Sequence, residues 1–355
     1  MKRGLKGIIG LMGFFMMSPS VAELIILASP PEHDTYYDEM QRGIIDFQIN
    51  YAKKIIKNGD EVLVLSTKTL FPEYADALGS NRVMIAPMSD IWMRDFTLVN
   101  PDDPVMFRYT AAGQGGGKEG QIQADDVQDT FYQVVKKAGL HFKSSELLDD
   151  GGNFVSDYAG NGVISSKFLQ DNQLTEKQAR KKLKALLGVK HIAFIEADEQ
   201  GGLEHADGVV SFIGPNTLAI NAYPEDPQYA AQLKADLMAQ LPEVKLVEIT
   251  TPYDGSQIYD KRFGSACGLY INMLVTKKRI YLPQFGIPQD KLALQQVRAV
   301  TSKDVIPVSS SQVCHMGGGV RCMSLQLRGE NARKLLDYAK KVSDKKQATS
   351  GDLMK

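Results

Sequence analysis

Two hydrophobic rhythms alternate along this chain. At 38–59, 125–139, 175–188, 226–241 and 289–302 apolar residues recur at intervals of three and four, as at Phe131, Val134 and Val135. That spacing lines one face of an α-helix. Each such segment leads into a short apolar run, at 60–66, 142–149, 191–198, 244–250 and 304–310, which reads as a strand. Five further segments alternate with these pairs: 94–108, 151–168, 205–223, 270–286 and 317–327. The first four hold two short apolar runs around a turn rich in Gly, Asn, Asp or Lys, the pattern of a β-hairpin. A polar residue heads each of the five, namely Asp95, Asn153, Asp207, Asn272 and Cys322, so the pattern repeats every roughly 50 to 65 residues. The sequence therefore predicts five α/β modules in a closed or nearly closed array, within one domain over 23–340, with their polar heads directed at a common centre. The alternative arrangement is an open α/β sheet with helices on both faces.

The two ends read differently. Residues 1–22 place Lys2, Arg3 and Lys6 before an apolar run from Gly7 to Met17 and a small-residue stretch ending at Ala22, the layout of a secretory signal peptide cleaved after Ala22. So short a run spans a bilayer poorly. The expectation is export across the inner membrane into a periplasm, with no stable membrane insertion after cleavage. Residues 341–355 read as a polar C-terminal tail. The charge balance of 41 Lys+Arg against 42 Asp+Glu, net −1, turns more acidic without the leader. It contains no basic stripe, which argues against a nucleic-acid partner. Three cysteines are too few for a disulfide scaffold. A bridge between Cys267 and Cys314 is one pairing the sequence leaves open, and the odd count leaves at least one thiol free within the chain.

Chemistry enters at residues 87–96, PMSDIWMRDF, where Asp90, Arg94 and Asp95 surround the chain's single tryptophan, Trp92. Taking an ionised group out of water costs several kcal/mol unless it is paired. These charges therefore either pair with neighbours or await a cationic ligand. The module heads, taken with His205, offer a thiol as nucleophile, an imidazole as acid and base, and two carboxylates able to grip a planar cation through paired hydrogen bonds. A guanidinium suits such a set, being planar, permanently charged and electrophilic at carbon once its charge is held. The glycine-rich run 113–120, GQGGGKEG, lacks the Ser or Thr and the strand-to-helix spacing of a phosphate-binding loop. It reads as a flexible loop over the site entrance.

The segments SDIWMRDF, LDDGGNFVSDYAGNGV, EHADGVV, YINMLVTKKRIYLPQFG and GGGVRCMS, in that order from Ser89 to Ser324, resemble the successive motifs of the agmatine deiminase and bacterial peptidylarginine deiminase family of guanidino-modifying enzymes. The resemblance implies a five-fold pseudosymmetric α/β propeller, which the repeat also suggests. It implies that Cys322 is the nucleophile, His205 the general acid and base, and Asp95 and Asp207 the carboxylates at the guanidinium. Cys322 would attack the guanidino carbon, and His205 would protonate the departing ammonia. A water activated by His205 would then release a ureido product from the thiouronium, with no metal or organic cofactor. Trp92, Asp150, Asn153, Glu204, Asn272 and Arg108 are expected at the substrate. On this assignment Asp95 awaits the cationic ligand, whereas Asp90 and Arg94 pair with structural neighbours.

Departures from the family pattern bear on the substrate. Agmatine deiminases usually carry Gly before the histidine and His before the cysteine, where this chain has Glu204 and Arg321. Bacterial peptidylarginine deiminases are expected to hold a substrate carboxylate with two closely spaced arginines, where this chain offers Arg108 alone. Acid at Glu204, Asp149 and Asp150 suits the second positive charge of agmatine, whose deimination gives N-carbamoylputrescine. Arg108 and Arg321 suit free arginine or an arginine-containing peptide, which would give citrulline. An amidinotransferase would need a second amine site, for which the sequence gives no signal. A non-catalytic guanidine-binding protein would have no use for both His205 and Cys322.

Overall fold

A computed structural model describes residues 23–32, 34–197 and 202–352, with side chains described to residue 343; the expected signal peptide lies outside them. Strand β1 (Leu24–Ala28) turns Ile25 and Leu27 toward one apolar layer and Leu24, Ile26 and Ala28 toward another, all of them fully buried. A strand covered on both faces is apolar throughout. Helix α1 (Gln41–Lys57) buries Ile44, Ile45, Phe47 and Tyr51 in the first layer. It returns to β2 (Glu61–Ser66), parallel to β1. Helix α2 (Phe71–Leu78), which the periodicity did not announce, leads to the edge strand β3 (Val83–Ile85).

The same round then recurs. Strand β4 (Val105–Arg108), helix α3 (Gly117–Lys137) and the parallel strand β5 (Lys143–Leu148) form the second module. The first strand of its hairpin is reduced to one bridge between Val99 and Val105. The third has the hairpin β6 (Phe154–Ser156) and β7 (Asn161–Ser165), then α4 (Lys167–Asp171), α5 (Glu176–Leu187) and β8 (His191–Ile195) parallel to β7. The fourth has β9 (Val210–Gly214), β10 (Thr217–Asn221), α6 (Pro227–Gln240) and β11 (Lys245–Ile249). The fifth has β12 (Leu274–Val275), β13 (Arg279–Gln284), α7 (Gln289–Val300) and β14 (Asp304–Ser309). Strand β15 (Leu325–Leu327) then pairs antiparallel with β1, Leu24 opposite Leu327 and Ile26 opposite Leu325. The end of the chain thus supplies the hairpin partner that the first module lacks. Five short sheets result, the five-fold propeller and not one open sheet.

Local signals explain several boundaries. Thr175 and Gln178 form a reciprocal cap at the start of α5, and Asp226 caps α6 by accepting from the Tyr229 N–H. Such caps contribute about 1 kcal/mol each. Burying a Leu, Ile or Phe side chain contributes roughly 1.5–3 kcal/mol, so the apolar helix faces outweigh the caps. The glycine-rich run departs from its expectation as a flexible loop, because α3 already begins at Gly117. Ahead of it, Ala112–Gln114 form a 3-10 turn, and Gly115 and Gly116 bend the chain at φ 88° and 77°, which favours residues without a Cβ. Helix α8 (Gly329–Asp352) ends the described chain, burying Leu335 and Ala339 in the apolar layer that also holds Leu24, Ile26 and Met84. Residues 341–352, expected as a tail, continue its backbone. No helix among the described residues is long and apolar enough to cross a membrane.

Candidate active site

The repeat places its polar heads alike. Asn153, Asp207, Asn272 and Cys322 stand just ahead of β6, β9, β12 and β15, and Asp95 precedes the Val99 bridge. All five are buried. Asp95, Asp207, Asn272 and Cys322 line one cavity of about 340 Å³, together with Trp92, Asp150, Glu204 and His205. Asn153 and Arg108 lie outside its lining.

His205 sits between two carboxylates. Its Nε2 lies 3.0 Å from Asp150 Oδ2, and its Nδ1 lies 3.7 Å from Asp95 Oδ1. Burial alone would lower its pKa, but Asp95 and Asp150 outweigh burial and raise it to about 10. His205 therefore carries a proton at neutral pH. Asp150 is itself oriented by the Thr110 N–H and hydroxyl, at 2.9 and 3.0 Å. Asp95 accepts the Gly152 N–H at 3.1 Å, and burial, opposed by His205 and reinforced by Asp150 and Asp207, raises it to about 7. This crowding explains the second glycine of the GGN motif: a Cβ on Gly152 would stand 2.6 Å from His205 Nδ1 and 2.7 Å from Asp95 Oδ1.

The Cys322 thiol takes a hydrogen bond from Asn272 Nδ2 at 3.1 Å. Burial first, then the charges of Asp207 and Asp95, push its pKa up, against smaller lowering contributions from Asn272 and the Gly319 backbone. Without a cation nearby the thiol keeps its proton. The Trp92 ring and Cys322 close on Gly318, where a Cβ would stand 2.5 Å from Trp92 Cζ3 and 2.9 Å from Cys322 Cβ. The cavity wall at 262–266 is tied to the 314–317 segment by a Cys267–Cys314 disulfide and by the Ala266 N–H on the Cys314 carbonyl. Closing a 47-residue separation stabilises the fold by about 4 kcal/mol in the chain-entropy description. Cys322 is the one free thiol.

Several expected substrate contacts are spent on other partners. Arg108 forms a bidentate pair with Asp125 at 2.9 and 2.6 Å on a half-exposed surface. Arg321 gives its Nε to Asp207 Oδ2 at 2.9 Å and its Nη2 to the Phe154 carbonyl at 3.1 Å, so one oxygen of Asp207 is already engaged. Asn153 braces its surroundings instead of facing the cavity: it donates to the Asp149 carboxylate and accepts the Ser165 and Ala206 backbone N–H groups. Arg94 is buried with Nη2 near Gln326 at 3.4 Å and no ion pair among the described residues; burial and Arg321 lower it to about 10. Asp90 takes neutral donors only, Tyr37 Oη and the Ile91 N–H at 2.6 Å and Gln114 Nε2 at 3.3 Å, and it lines the cavity. Glu204 lines it too, at φ 54°. Sequence reasoning missed Asp90 as a cavity residue, and the signal available was its place two residues before Trp92. Among the described residues no group of three or more His, Cys, Asp or Glu side chains could hold a metal ion.

Known proteins resemble this chain in sequence and in fold. A family model described as Porphyromonas-type peptidyl-arginine deiminase matches residues 20–327. The agmatine deiminase of Stutzerimonas stutzeri is 26% identical over 318 residues, covering 77% of this chain and 84% of that protein. Two solved structures share the fold at 20% identity, each with 87% of this chain and 94% of its own covered: a C. jejuni agmatine deiminase, at a TM-score of 0.70, and an agmatine deiminase of Enterococcus faecalis, at 0.69.

Proposed function

The chain belongs to the Porphyromonas-type peptidyl-arginine deiminase family and is a guanidino-group deiminase; from that premise we propose that its substrate is agmatine, which it converts to N-carbamoylputrescine and ammonia. The observation that carries this reading is the charge of the cavity. Asp34, Asp90, Asp95, Asp150, Glu204 and Asp207 all line it. The arginines that an α-carboxylate would need are occupied: Arg108 by Asp125, Arg321 by Asp207, and Arg262 by Asp260 at 2.6 Å. An acidic cavity whose lining Arg262, like Arg108 and Arg321 outside it, is already paired favours a substrate with two positive charges over zwitterionic arginine.

The reaction follows from the same charges. Asp95 and Asp207 receive the guanidinium, whose positive charge offsets the two carboxylates that hold the Cys322 proton in place. The thiol then releases its proton to solvent, and Sγ forms a bond to the guanidino carbon. His205 gives its proton to one terminal nitrogen, the C–N bond breaks, and ammonia leaves a cationic thiouronium on Cys322. Neutral His205 next takes a proton from water, whose oxygen adds to the carbon. The C–S bond breaks, the sulfur leaves as thiolate, and the protonated ureido product returns a proton to Sγ. Asp150 and Asp95 keep His205 protonated for the first half-reaction, and Asn272 orients Sγ.

The test is ammonia release from agmatine against arginine and arginine-containing peptides, with agmatine expected to be fastest. The proposal extends to export into an oxidising compartment, supported by the leader-like residues 1–22 and by the disulfide. Protein recovered from a periplasmic fraction is expected to begin at Glu23; intact Met1 protein confined to the cytosol would overturn this part.

A further inference from the structure

Asp90 is a buried carboxylate on the wall of the catalytic cavity, and no basic side chain of the described residues pairs with it. Its Oδ1 is saturated by Tyr37 Oη and two backbone N–H groups, at 2.6, 2.6 and 3.4 Å. Its Oδ2 has only the long contact to Gln114 Nε2, at 3.3 Å. Neutral donors orient the carboxylate without cancelling its charge. Around it the cavity is aromatic, with Tyr36, Tyr37, Trp92 and Tyr109 in the lining. A carboxylate beside aromatic faces is a receptor for an alkylammonium, which gains from charge and from the ring quadrupoles. The other acids that could take this part, Asp34 and Glu204, are only half-buried. Water screens their attraction for a cation far more than it screens that of Asp90.

Resting on the agmatine reading, we infer that Asp90 is the specificity-determining residue of this site: its Oδ2 receives the terminal ammonium of an aminoalkylguanidine while Asp95 and Asp207 hold the guanidinium. Gln114 then supports the carboxylate from the 3-10 turn ahead of α3, so the glycine-rich segment serves recognition by presenting an amide. A substrate lacking the amine leaves Asp90 desolvated and uncompensated, so discrimination comes from a penalty as well as from an attraction.

The experiment compares agmatine with an n-alkylguanidine of the same chain length in the full-length wild-type enzyme and in Asp90→Asn. Wild type is expected to prefer agmatine in kcat/KM by about a hundredfold. Asp90→Asn is expected to reduce that preference to less than about threefold, mostly through KM for agmatine. Equal losses on both substrates, or a preference that survives the substitution, would overturn the assignment and mark Asp90 as structural. Should Asp90→Asn not fold, wild type decides alone, because a preference below about threefold is incompatible with a paired ammonium. If wild type turned over the alkylguanidine and not agmatine, Asp90 would be misassigned while guanidine deimination stood. If it acted only on peptidyl-arginine, the agmatine reading itself would fail.

Discussion

Cys322→Ser is expected to lose ammonia release by at least about four orders of magnitude, because a serine hydroxyl at its ordinary pKa is a far weaker nucleophile than a thiolate and no other group lies in its place. The loss should appear in kcat, with substrate still bound, since Asp95, Asp207 and the aromatic wall are untouched. The fold should tolerate the change. Serine is slightly smaller, and Asn272 can keep a hydrogen bond to it across the 3.1 Å contact it now makes with sulfur. Steady-state ammonia assays together with thermal unfolding decide the matter. A serine variant that keeps a few per cent of wild-type turnover would remove Cys322 from the chemistry, as would a loss of activity explained by unfolding.

Asp95→Asn should move two observables in opposite directions. Capture of the guanidinium weakens, and kcat/KM is expected to fall by about a thousandfold. The Cys322 thiol, however, loses one of the negative charges that raise its pKa, so at neutral pH the free variant should react faster with iodoacetamide than wild type does. General disruption of the site would not couple these effects. The wild-type pH profile supplies a further check. Asp95 must be ionised to bind the cation, and its pKa is pushed up to about 7, so kcat/KM should rise with pH through that region. His205 must be protonated to release ammonia, and its pKa is raised to about 10, so activity should fall as pH passes that value. In Asp95→Asn the acid limb should vanish. Slower alkylation, or an unchanged acid limb, would show that Asp95 does not face the thiol and the substrate as described.

Much of the fold was legible because it repeats. Alternating helical and strand periods over 125–149, 175–198, 226–250 and 289–310 match α3 with β5, α5 with β8, α6 with β11, and α7 with β14. One polar head per hairpin sufficed to bring Asp95, Asp207, Asn272 and Cys322 together, since equivalent positions in a ring share the same distance from its centre. What stayed hidden depends on contacts that no local pattern encodes. Arg321 and Asp207 are 114 residues apart when they pair, so Arg321 read as a potential substrate contact. Arg108 meets Asp125 across the start of α3, a helix whose first turn is disguised by glycines of low helix propensity. Asn153 occupies a head position, yet Asp150, three residues earlier, reaches His205, because the turn at Gly151 and Gly152 carries the chain under the imidazole. Asp90 looked like half of an ion pair with Arg94 or another neighbour; only its three-dimensional setting shows a carboxylate facing the cavity without a cation.

The most direct measurement is the rate of ammonia release by purified wild-type protein from agmatine, free arginine and peptides with internal or C-terminal arginine, each product identified by its mass. An acidic cavity whose lining Arg262 is already paired, as are Arg108 and Arg321 outside the lining, should give kcat/KM for agmatine at least about a hundredfold above every other substrate, with N-carbamoylputrescine as the product. Faster turnover of arginine or of an arginine peptide to citrulline would contradict it.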